Sequence, residues 1–157
     1  MANSPPVVRL GEEKRHLNNL RYTVYRHNEG MNEPLSASPR LIKLSPIPEG
    51  APERDHPKPE RLIQGNPQRE TWNRVTDGLT AGQVYCGVWR CEPGHWRIAM
   101  GPTERELFTV LTGRCRIHDE QGHFEEAGAG EAIYIPPGFN GAFEVLEMLT
   151  KTYMICE

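Results

Sequence analysis

The chain has 157 residues, 37% of them hydrophobic and 25% charged, with a formal net charge of -3. That length fits one domain able to bury a real core. The slight acidic excess argues against a nucleic-acid or anionic-membrane partner, because both call for surplus Lys and Arg.

No apolar run approaches the roughly 20 residues that a membrane helix needs. The opening stretch, MANSPPVVRLGEEKR, lacks the basic start and apolar core of a secretory signal. A cytoplasmic location is the expectation. Four cysteines, Cys86, Cys91, Cys115 and Cys156, are too few for a disulfide scaffold in a chain this long. Cys86 and Cys91 stand an odd number of positions apart, so a strand carrying both points them to opposite faces. They read as reduced thiols rather than as joint metal ligands with His95.

In chain order, the first part is rich in Pro, Asn, Glu and Arg. It holds a weak helical pattern over 11–19 and two short predicted strands, Arg21–Arg26 and Leu41–Leu44. Prolines at 46, 48, 52, 57 and 59 exclude a long helix, since each fixes φ and lacks an amide donor. The chain divides near residue 80, and from Gln83 it reads as successive strands. Gln83–Cys91 is apolar and β-prone. His95–Met100 alternates Trp96, Ile98 and Met100 against His95, Arg97 and Ala99. Leu107–Leu111 and Arg114–His118 follow, with Gly113 predicted to reverse the chain between them. The segment DEQG, ending at Gly122, closes a hairpin. Four more strands are predicted: His123–Glu126, Glu131–Ile135, Ala142–Leu146 and Lys151–Cys156. Short strands at this spacing with Gly and Pro turns indicate an all-β sandwich or barrel.

Two spaced patterns then resemble the cupin superfamily. Its first motif runs Gly, five residues, His-x-His, three or four residues, Glu, six residues, Gly. This chain has Gly94, HWRIA, Met100-Gly101-Pro102, TER, Glu106, LFTVLT and Gly113. The second motif runs Gly, five residues, Pro-x-Gly, two residues, His. Here it is Gly130, EAIYI, Pro136-Pro137-Gly138, FN and Gly141. The segments GVWRCEPGHWR (87–97), GFNGAFEV (138–145) and Lys151-Thr152-Tyr153 are similar to small single-domain cupins near the ureidoglycine aminohydrolase and ethanolamine-utilisation branch. Phe143 stands where that branch often has Trp.

The resemblance implies a cupin-type double-stranded β-helix, a jelly-roll barrel, over residues 38–157, preceded by an irregular Pro-rich N-terminal extension over 1–37. It also implies a homodimer. The three metal-binding histidines of the family are Met100, Pro102 and Gly141 here, so no metal and no other cofactor is expected; a metal on atypical ligands is the disfavoured alternative.

Alternation places Glu106, Phe108 and Val110 on one face, with Trp96, Ile98, Met100, Phe143 and Val145 lining the same interior. The result is an apolar barrel mouth holding one carboxylate. Glu106 is either a structural carboxylate paired with Arg97, Arg105 or Lys151, or an acid or base in an apolar pocket. Trp96, Met100, Phe108, Phe143, Lys151 and Tyr153 are the candidate substrate-binding residues. Lys151 and Tyr153 share a face of the last strand, and the sequence leaves open which. The leading functional reading is a cupin that binds a small polar metabolite near Glu106, with metal-independent acid–base chemistry. The alternatives are a non-catalytic ligand-sensing or accessory module, and a metalloenzyme with atypical ligands. Fold alone does not choose among them.

Overall fold

The structure, a computed structural model, describes residues 40–157. The predicted helix over 11–19, the strand Arg21–Arg26 and the extension over 1–37 lie outside the described residues. The described residues form nine strands: β1 (Glu53–Asp55), β2 (Leu62–Gln64), β3 (Arg69–Gly78), β4 (Gln83–Cys91), β5 (Gly94–Ala99), β6 (Arg105–Asp119), β7 (Phe124–Gly128), β8 (Ala132–Ile135) and β9 (Asn140–Cys156). A single 3₁₀ turn, Pro59–Arg61, precedes β2. No helix among the described residues is long and apolar enough to cross a membrane.

Two long strands organise everything else. β6 and β9 pair antiparallel from Arg105↔Cys156 to Asp119↔Gly141. The free edge of β9 takes β4 along its C-terminal half and β5 along its N-terminal half. The free edge of β6 takes β8 near its start and β7 near its end. β3 extends the sheet beyond β4, and β2 extends it beyond β5. The one curled sheet therefore has two halves that fold over a shared interior, the jelly-roll arrangement that closure of sheet edges favours.

The predicted reversal at Gly113 is corrected here. Leu107–Leu111 and Arg114–His118 are one strand, as are Ala142–Leu146 and Lys151–Cys156. Between them the β6–β9 register shifts three times, at Val110–Thr112, Thr112–Arg114 and Arg114–Cys115. Gly113 sits within these shifts at φ 82°, and a Cβ there would lie 2.2 Å from the Met148 carbonyl oxygen. The glycine bends the strand pair without ending it, which is the work of a β-bulge.

Two other expectations change. Leu41–Leu44 is not a strand; Leu41 and Ile42 are exposed and this stretch pairs with nothing in the sheet. Conversely β3, which precedes the division expected near residue 80, pairs with β4 from Arg69↔Cys91 to Gly78↔Gln83. Its sequence, RETWNRVTDG, is polar because its outer face and tip are wet. Pairing and Trp72 make it a strand, not its apolar content.

The interior holds Trp89, Trp96, Phe108, Val110, Cys115, Ile117, Phe143, Val145, Leu149 and Ile155, all buried. The predicted alternation holds throughout: Glu106, Phe108, Val110, Trp96, Ile98, Met100, Phe143 and Val145 all face this core. Trp96 stacks on Phe143 at 5.3 Å between centroids, which joins β5 to β9 through the core.

Candidate functional site

Glu106 lies near the start of β6 and Lys151 near the middle of β9. Lys151 is opposite Val110, so its long stem runs along the interior to reach the carboxylate. Lys151 Nζ donates to Glu106 Oε1 at 2.6 Å, and both side chains are 0% exposed. The ammonium is also 4.2 Å from the ring centre of Phe108, 4.7 Å from Trp89 and 4.8 Å from Phe143. Three aromatic faces thus share a cation that water would otherwise solvate.

The second carboxylate oxygen, Glu106 Oε2, is buried with no hydrogen-bond partner among the described residues. An unsatisfied buried charged acceptor is costly, and native interiors rarely leave one without a reason. Trp96 Nε1 is a second buried group without a partner among the described residues.

Tyr153, two positions after Lys151, also points inward. Its hydroxyl lies 3.0 Å from the Asn73 side-chain amide. With its nitrogen turned toward Tyr153, that amide also donates to the Cys86 and Val75 carbonyls and accepts from Thr76 Oγ1. Gly87 makes room for the phenol: a Cβ there would sit 2.7 Å from the Tyr153 oxygen. Burial first, and then the Glu106 charge, raise the phenol's pKa. It stays a protonated hydroxyl at neutral pH, not a phenolate.

The structure therefore brings together Glu106, Lys151, Phe108, Phe143 and, through Phe143, Trp96. Tyr153 is opposite Phe108 in register, and Met100 joins the same core at the end of β5. Of the three partners considered for Glu106, it is Lys151 that pairs. Glu104 was missed by the sequence reading. It is buried, and its Oε2 accepts the Gly101 amide at 2.9 Å. Burial raises its pKa, with the Gly101 hydrogen bond opposing. The parity it shares with Glu106, Phe108 and Val110 was the signal available.

The carboxylate is sealed within the interior and does not stand in an open mouth. A slot of about 190 Å³ beside this region is lined by Ile117, Ile133, Ile135 and Phe139, together with His123 and Tyr134. Ile135 is the cross-strand neighbour of Glu106. A cavity near 150 Å³ accommodates a benzene-sized group.

The residues at the motif positions do not fit a metal. Met100 is a thioether within the core, and Pro102 offers no side-chain ligand. At Gly141 a Cβ would lie 2.0 Å from the His118 carbonyl oxygen, so no larger side chain can replace this glycine without moving β6. Among the described residues, no group of three or more His, Cys, Asp or Glu gathers in a metal-holding arrangement. His95 and His118 stack at 5.0 Å between ring centres, and His118 Nε2 lies 2.8 Å from Glu144 Oε2. These groups belong to the outer face of β5, β9 and β6, away from Met100. The four cysteines are free.

This β-helix has the cupin fold. The chain carries a small cupin domain, and residues 79–153 match the family described as EutQ-like cupin domain. A protein of unknown function from Pseudomonas syringae pv. tomato has a similar structure: TM-score 0.61, 23% identity, 71% of this chain and 46% of that one. The EutQ protein of Clostridium difficile is similar over 61% of this chain and 75% of its own, at 23% identity and TM-score 0.50. These likenesses establish the fold. No curated protein matches the sequence.

Proposed function

We propose that this cupin binds a small polar metabolite in its interior beside Glu106, and that Glu106 serves as acid, base or anchor without a metal. The observation that carries this reading is the buried, unpartnered Glu106 Oε2. Lys151 already occupies Oε1, so the open oxygen faces the interior as an acceptor awaiting a donor. A ligand hydroxyl, amine or amide N–H would satisfy it and recover the desolvation cost. Trp96, Met100, Phe108, Phe143 and Tyr153 would form the walls, and the slot beside Ile135 is the natural way in. The cupin likeness also supports a homodimer.

A thermal-shift screen with a panel of small polar metabolites, run on the wild type and on Glu106→Gln, tests the reading. A true ligand raises the melting temperature of the wild type and loses most of that shift in the variant. Hits that stabilise both proteins equally would place the ligand elsewhere. A second reading, a non-catalytic ligand-sensing or accessory module, is favoured by the closeness of Lys151. The Lys151 ammonium already holds one oxygen at 2.6 Å, and a carboxylate fixed in a fully buried ion pair offers a ligand an anchor. Binding without turnover of any hit would select that reading.

A further inference from the structure

The outer face of the sheet half formed by β8, β6, β9, β4 and β3 carries one uncharged row. Tyr134, Leu107, Met154, Cys86 and Val75 are successive cross-strand neighbours, one from each strand. None is fully buried; Tyr134 is 54% exposed, Leu107 45% and Met154 43%. In a chain that is 25% charged, a five-strand row without one charge, flanked on β3 by the exposed, bulged Arg74, leaves apolar surface open among the described residues.

The next row toward the strand ends is Arg105, Cys156, Val84 and Asp77, from β6, β9, β4 and β3. Its two ends are exposed and of opposite charge. We propose that this face packs against the same face of a second copy about a two-fold axis parallel to the strands and midway between β9 and β4. Under that symmetry β6 of one copy meets β3 of the other, and β9 meets β4. Arg105 then faces Asp77 of the second copy, twice over. Leu107 faces Val75, and Met154 faces Cys86. The face is self-complementary in both charge and apolarity, which an isologous contact requires.

Size decides what else takes part. Five strands about 4.8 Å apart and two rows about 7 Å apart give a footprint of roughly 24 by 14 Å. That is roughly 340 Å², short of the about 800 Å² per partner that stable interfaces bury. The segment over 40–50 supplies the remainder. It crosses the same outer face, where the Gly50 carbonyl accepts the Trp72 indole N–H and Ile47 and Pro48 lie beside Val88. It carries Leu41, Ile42 and Ile47, all exposed.

The inference rests on the homodimer reading and adds the face and the symmetry. The full chain is measured by light scattering across a concentration series, with circular dichroism to verify folding. The expected result is a dimeric wild type, a folded Leu107→Glu monomer, and a dimeric Ile63→Glu, whose site is exposed on the other sheet half. Arg105→Asp is expected to weaken the dimer at least tenfold, and adding Asp77→Arg to restore it. A monomeric wild type overturns both the dimer and this face. A Leu107→Glu protein as dimeric as the wild type overturns the face and leaves the dimer standing. Failure of Asp77→Arg to rescue Arg105→Asp overturns the proposed axis.

Discussion

Lys151→Met tests the buried pair most directly. Methionine keeps most of the stem that packs beneath Trp89, Phe108 and Phe143, and removes only the ammonium. Glu106 then loses its one hydrogen-bond partner among the described residues, at a position that is 0% exposed in the native protein. Breaking a buried pair by removing one partner costs about 3–5 kcal/mol, because the charge left behind has no compensation. The ring contacts refine this figure. The three aromatic faces at 4.2–4.8 Å also lose their cation, which moves the expected loss toward the upper end. At about 3 °C per kcal/mol for a chain of this size, the melting temperature falls by roughly 10 °C or more. The double variant Glu106→Leu, Lys151→Met should recover most of the loss, since apolar replacement of a buried pair is often neutral. Urea unfolding of the wild type, both single variants and the double variant supplies the cycle. A Lys151→Met protein within about 1 kcal/mol of wild type would refute the reasoning, because it would mean that water reaches Glu106.

Glu104→Gln should gain stability relative to wild type as pH rises. Burial holds the folded carboxyl above its ordinary 4.5, so the folded state binds more protons than the unfolded state between those two values. Wild-type stability is lost as pH climbs through that window, while glutamine does not titrate and still accepts the Gly101 amide. Urea midpoints at pH 4 and pH 7 measure it, and an advantage that shrinks toward pH 7 would contradict the argument. Burial pushes the Cys91 thiol up to about 12 and Cys115 up to about 11. Native protein treated with iodoacetamide at pH 8 should carry no label at either residue until denatured, as peptide mass spectrometry would show. Gly141→His, which restores a family metal ligand by sequence, should instead unfold or destabilise the barrel by several kcal/mol and bind no transition metal. The His118 carbonyl occupies the position its Cβ needs. Stoichiometric metal in a folded variant would show that β6 can move aside.

The inner surface of the barrel was legible because alternation is local. Once β5 and β6 are strands, parity alone puts Trp96, Ile98, Glu106, Phe108 and Val110 on one side. The strand Gln83–Cys91 was readable to the residue for the same reason. Continuity of β6 and β9 was not. A glycine with positive φ serves a turn and a bulge equally well, and only the partner strand distinguishes them. β3 was invisible because its residues are polar, and a strand paired at an outer position can satisfy its backbone with few apolar side chains.

The sequence alone determined that Glu106 shares a face with Phe108 and Val110, and its resemblance to the cupin motifs aligned Met100, Pro102 and Gly141 with the family's metal ligands. Those facts depend on spacing and residue chemistry, which need no coordinates. The tertiary structure decided that Lys151 rather than Arg97 or Arg105 neutralises Glu106. It also decided that one oxygen of Glu106 is left open and that Tyr134, Leu107 and Met154 line up across three strands. Each is a contact between residues far apart in the chain, fixed by the antiparallel register of β6 and β9. Register is set by bulges and by the packing of the whole interior, so no local pattern in the sequence encodes it.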